Sequence, residues 1–201
     1  MKHLRALFAF AAAAALSTPA LADDYSYIGT LDDPNQVLLF NFTVGAESNV
    51  TLRTYSYAGG TMADGTVVSS GGFDPILALF DGTGAYITQN DDGGSAHVPG
   101  DGGRYYDTYL NRLLAPGTYT VSVMAYSNFA NGPNLSDGFE NDGSFNGRTN
   151  AWAFDILNVS QATQVGGAVP EPATWAMMLF GFGATGVALR RQRRKGALAI
   201  A

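Results

Sequence analysis

Carboxylates, one histidine and a set of tyrosines are the side chains of this sequence that could do chemistry. Asn90, Asp91 and Asp92 stand together, with Asp107 downstream. Calcium selects hard oxygens in a tolerant cage of six to eight ligands. It is the one cofactor these residues suggest, with Asp91, Asp92 and Asp107 as ligands. The competing possibility is that Asp92-Gly93 is a tight turn and its neighbours are solvated or cap loop amides. Neither EF-hand spacing nor a tandem Gly-Gly-x-Gly-x-Asp repeat is present. Asp32, Asp33 and Asn35 form a second cluster of the same kind.

His97 sits in GGSAHVPGDGG. No nucleophile elbow lies nearby, and Ser95 is too close in sequence to complete a triad with it. It reads as a loop histidine. Paired carboxylates can hydrolyse glycosides, but aspartate-rich turns produce the same composition. The expectation is a protein that is not an enzyme and has no catalytic residue; the alternative is an extracellular carboxylate-based hydrolase. Tyr55, Tyr57, Tyr105, Tyr106, Tyr109 and Tyr126 offer either an aromatic sugar-binding surface or ordinary core and cross-strand contacts.

The elements that must position these groups are strands. Asp-Gly occurs at Asp64, Asp81, Asp92, Asp101, Asp137 and Asp142, and Asn-Gly at Asn131 and Asn146. Such pairs accept positive φ and mark tight turns. Between them lie β-prone runs. Residues 36–44 place Leu38, Phe40, Phe42 and Val44 on one face. Residues 49–57 place Val50 and Leu52 opposite Arg53 and Tyr55. Runs 75–80 and 85–89 flank DGTG as a hairpin. Residues 118–126 point Tyr119, Val121, Val123 and Ala125 one way, and 152–159 point Trp152, Phe154 and Ile156 inward. Residues 107–114 have the least distinct pattern and leave room for a helical turn. The fold class is all-β, an antiparallel sandwich or jelly roll. Loops 59–72 and 127–150 are long enough to be functional or mobile.

Charge divides the 201 residues sharply. Residues 23–168 hold sixteen Asp and Glu against four arginines and no lysine, a net of −12, whereas the whole chain carries −6. So acidic a body has no basic patch for phosphates, which excludes nucleic acid as a partner. There is no cysteine, which excludes thiol nucleophiles, CxxC redox chemistry and thiolate zinc sites.

The two ends carry the missing basic residues. Lys2 and Arg5 precede an apolar run, which closes on Ala20-Leu21-Ala22. That pattern predicts a signal peptide over 1–22, cleaved to leave Asp23 first. The acidic domain then spans 23–163, and a flexible linker spans 164–169. Segment 170–195 opens with Pro170-Glu171-Pro172. An uncharged run follows over 173–189, and then Arg190, Arg191, Arg193, Arg194 and Lys195. As a helix, the 17 residues of that run would span about 25 Å, slightly under a hydrocarbon core. The basic block fixes its end in the cytoplasm, and Trp175 suits the outer interface. Residues 196–201 form a cytoplasmic tail.

Pro170 and Pro172 keep Glu171 on an extended, rigid peptide, which an enzyme can grip along the backbone. The segment Val169-Pro170-Glu171-Pro172, Trp175 to Leu179, Gly181, Gly183 and the arginine block closely resembles the PEP-CTERM sorting signal of Gram-negative bacteria. The resemblance implies that a membrane exosortase recognises the tail and cuts near the motif. The precursor would cross the inner membrane once, with its domain in the periplasm. Its final site would be the outer surface or matrix, in association with exopolysaccharide or biofilm. The alternative is a permanently membrane-anchored structural protein.

The body carries a second resemblance. FDPILALFDGTGAYITQNDDGG, then Asp107-Thr108-Tyr109-Leu110, then LLAPGTYTVSVMAY is similar to the β-sandwich family related to the bacterial pre-peptidase C-terminal domain, over roughly 29–159. It implies a non-catalytic sandwich that binds a surface or glycan component, and in some relatives calcium.

Overall fold

The computed structural model describes residues 22–94 and 104–166. Alternating apolar residues build its strands. Strand β2 (Leu38–Val44) buries Leu38, Phe40, Phe42 and Val44. In β9 (Gly117–Ala125), Val121, Val123 and Ala125 enter the same core, with Tyr119 packed against it. Strand β10 (Ala151–Val159) adds Trp152, Phe154 and Ile156 from the opposite side. These side chains meet between two antiparallel sheets, which form a β-sandwich. Phe40 lies at the centre, with ring centroids 4.9 Å from Tyr27, 5.8 Å from Trp152 and 5.2 Å from Phe154.

The first sheet runs β1 (Asp23–Thr30), β10, β3 (Ser48–Thr54) and β8 (Tyr109–Leu114). The second runs β11 (Gln161–Val165), β2, β9, β6 (Pro75–Asp81) and β7 (Tyr86–Asn90). Every pairing between these strands is antiparallel. The DGTG hairpin joins β6 to β7. Asp81 Oδ1 accepts hydrogen bonds from Thr83 N (2.8 Å), Thr83 Oγ1 (2.7 Å) and Ala85 N (3.0 Å). These bonds hold the Asp81 carboxyl below the usual range.

Both long loops cover sheet faces. A small hairpin, β4 (Gly60–Thr61) with β5 (Val67–Val68), lies in the first loop. Met62 from this loop packs with Tyr55 and Ala153 in a satellite cluster on the outer face of the first sheet. Beneath it lies the fully buried Asp155, which accepts hydrogen bonds from Ser26 Oγ (2.6 Å), Tyr55 Oη (2.7 Å) and Ala63 N (2.9 Å). The second loop carries a 3₁₀ turn at Leu135–Asp137. It lays Phe129, Leu135 and Phe139 over Ile76, Ala78, Phe80 and Met124. Strand β6 is therefore covered on both faces, which is why PILALF is a continuous apolar run.

Three segments differ from expectation. Residues 109–114 form β8 rather than a helical turn, paired with β3 from Ser48↔Leu114 to Arg53↔Tyr109. Residues 161–165, read as domain end and linker, form edge strand β11 against β2. Asp23–Thr30, where the sequence signals no strand, forms β1 against β10. Among the described residues no helix is long and apolar enough to cross a membrane. The leader residues 1–21 and the run 173–189 lie outside the described residues.

Candidate functional site

Strand polarity gathers five distant segments at one end of the sandwich. Strands β3 and β9 end there, and β6, β8 and β10 begin there. The registers Phe154↔Thr54, Arg53↔Tyr109 and Pro75↔Ala125 place these termini together. The flanking residues line a half-open cleft of about 350 Å³. Tyr57 follows β3, Asp74 precedes β6, and Tyr126 follows β9. Arg104 and Tyr106 precede β8, and Asn146 and Arg148 precede β10. Strand β11 finishes at the same end, because Val165 pairs with Leu39 and Leu38 with Val123.

The cleft wall is built from specific contacts. Arg148 Nε donates to the Gly72 carbonyl (2.6 Å), and its NH2 group donates to the Tyr57 carbonyl (2.8 Å). Its guanidinium carbon lies 3.6 Å from the Tyr57 ring centroid, a cation–π contact. The tyrosine ring also meets Tyr106 edge-on at 4.9 Å. Gly72 cannot be replaced cheaply, since a Cβ there would collide with the carbonyl oxygens of Ala151 and Ser56. Asn146 sits at φ 49°, in a turn closed by Arg148 N donating to Phe145 O (2.9 Å). Asn tolerates that left-handed conformation better than most residues. Tyr126 N donates to Asp74 O (2.8 Å), so these two cleft residues are tied by backbone.

Asp74 is the electrostatic centre. Its Oδ1 is buried and has no hydrogen-bond partner. Burial pushes its pKa up to about 7, helped by the charges of Asp92, Asp91 and Asp107 and opposed by Arg148. Asp92 is also raised, by burial and then by Asp91.

Asp107, Asn90 and Asp33, from the two clusters weighed for calcium, have local hydrogen-bond partners. Asp107 is fully buried, and its Oδ1 accepts from Thr54 Oγ1 (2.9 Å) and Tyr57 N (3.1 Å) while Oδ2 accepts from Ala58 N (2.6 Å). It fixes the chain where Tyr57 enters the cleft. Asn90 ties β7 to β8, accepting from Tyr109 N (3.3 Å) and donating to Asp92 O (3.0 Å). Asp33 Oδ1 accepts from Asn35 N (2.7 Å) in a local turn. Among the described residues no group of three carboxylate or imidazole side chains converges to hold a metal ion. Of the set Asp91, Asp92 and Asp107, the Asp107 carboxylate accepts hydrogen bonds from two backbone amides and a hydroxyl.

The structure also sorts the tyrosines. Tyr57, Tyr106 and Tyr126 reach the cleft. Tyr55 is buried in the satellite cluster, and Tyr109 lies on β8. Asp74, Arg104 and Arg148 carried no motif, and Asn146 only its Asn-Gly turn. The one usable signal was Asp74 itself, a carboxylate wedged between Phe73 and the buried strand that follows. Ser95 and His97 lie outside the described residues. A second concavity of about 400 Å³, on the other end of the second sheet, is lined by Asn41, Thr43, Thr118 and Thr120 and by β11, with no charged group.

The chain matches the PEP-CTERM protein-sorting motif over residues 168–194. That span takes in Pro170, Glu171, Pro172, Trp175, Gly181, Gly183, Arg190, Arg191, Arg193 and Arg194, all outside the described residues. No curated protein matches the chain. The β-rich body is consistent with the expected sandwich, and the comparisons name no family for it. The motif supports sorting by an exosortase system and export to the cell envelope or surface.

Proposed function

We propose that this chain is the precursor of an exported, non-catalytic surface or matrix protein. A signal peptide cut after Ala22 sends the acidic sandwich across the inner membrane. The apolar run 173–189 holds it there as a single pass, with the arginines in the cytoplasm. A membrane exosortase processes the tail at the Pro170-Glu171-Pro172 region. The sandwich then reaches the outer surface, where it binds an extracellular glycan or another surface component.

The observation that carries the proposal is the sorting motif, matched from residue 168, close behind a folded domain whose last strand among the described residues ends at Val165. The net charge of −12 over residues 23–168 suits an exported protein that stays soluble. Replacing Pro170, Glu171 and Pro172 together with alanine tests it. In cells carrying an exosortase, the substituted chain should accumulate uncut in the inner membrane while the natural chain leaves it. Equal export of both would sink the sorting role.

A further inference from the structure

The cleft holds three observations with one explanation. A buried carboxyl oxygen without a partner is costly, and Asp74 carries one at the cleft wall. Tyr126 stands beside it with 40% of its surface exposed, backed edge-on by Phe129 at 5.8 Å. Arg104 and Asn146 line the same cleft and carry N–H donors. An apolar ring face, a carboxyl and several donors around one small space match a pyranose. Its C–H face is apolar, and its rim alternates hydroxyl donors with oxygen acceptors.

Resting on the reading that the exported protein binds a glycan, we propose that this cleft is the saccharide site and takes a neutral pyranose unit with adjacent free hydroxyls. Tyr126 and Tyr106 offer the apolar wall, sugar hydroxyls donate to Asp74, and Arg104 and Asn146 donate to sugar oxygens. The volume of about 350 Å³ is at the small end for ligand clefts and suits a short stretch of glycan. Charge narrows the class. Asp91, Asp92 and Asp107 add negative charge near Asp74, and the body around it is strongly acidic, which disfavours a uronate despite Arg104 and Arg148. A cationic ligand meets competition, because Arg148 already lies against Tyr57.

The test is calorimetric titration of the full chain in a mild non-ionic detergent. The probes are neutral gluco-, manno- and galacto-oligosaccharides and an oligogalacturonate. Three variants accompany the natural chain: Tyr126→Ala, Asp74→Ala, and Tyr86→Ala as an exposed tyrosine on β7 away from the cleft. At least one neutral probe should bind. Its affinity should fall about tenfold or more in Tyr126→Ala and Asp74→Ala and hold in Tyr86→Ala. Circular dichroism melts establish that each variant is folded. If a probe binds and both cleft variants bind it equally well, the site is wrong while the glycan reading stands. If only the oligogalacturonate binds, the neutral class is overturned. If the natural chain binds none of the probes, the glycan reading falls and the site with it.

Discussion

Asn in place of Asp74 should stabilise this protein at alkaline pH and do little in acid. The folded-state pKa of Asp74 is raised from 3.8 to about 7, mainly by burial. Between those values the native protein holds a proton that the unfolded chain has released. Stability contributed by that proton is full below about pH 4 and declines as pH rises towards 7, then stays flat. Fully sealed, such a difference would be worth about 4 kcal/mol. Asp74 is only half-buried at the cleft wall, so screening reduces this to about 1–2 kcal/mol. For a domain of this size, that is a rise of about 3–8 °C in Tm. Thermal melts of natural and Asp74→Asn chains at pH 4 and pH 8 measure it. The gain should be present at pH 8 and near zero at pH 4. Equal gains at both values, or a loss at pH 8, would show that Asp74 is not a strained carboxylate.

One further substitution and one truncation probe the framework. Asp107→Ala leaves two backbone amides and the Thr54 hydroxyl without their buried acceptor; urea unfolding should show a loss of about 2–4 kcal/mol, and a loss under about 0.5 kcal/mol would contradict its bracing role. Ending the chain after Ser160 removes β11 and bares the edge of β2, which invites edge-to-edge pairing. Size-exclusion chromatography should show aggregation, whereas ending after Gly166 should leave a monodisperse species. Equal behaviour of the two truncations would restore 161–165 to a linker.

How legible was this molecule? Strands β2, β9 and β10 announce themselves, since each buries one face and exposes or covers the other differently. The strands that escaped are edge strands. Strand β8 spends Asn111, Arg112 and Leu113 on exposed positions, and β11 buries only Ala162. Strand β1 buries no residue fully. An edge strand that contributes so little to the core leaves almost no period to read. The cleft was illegible for another reason. Its residues come from five segments spread between Tyr57 and Arg148, and only antiparallel pairing brings them together. The Asp107 role was hidden likewise, because a loop carboxylate that accepts backbone amides looks in sequence like one awaiting a cation.

The most direct measurement is the intact mass of the exported protein, taken from cells with and without the exosortase. Processing predicts a species that begins at Asp23 and ends near Pro172 when the enzyme is present, and one that runs to Ala201 when it is absent. A chain that reaches the cell surface still ending at Ala201 in enzyme-bearing cells would contradict the account.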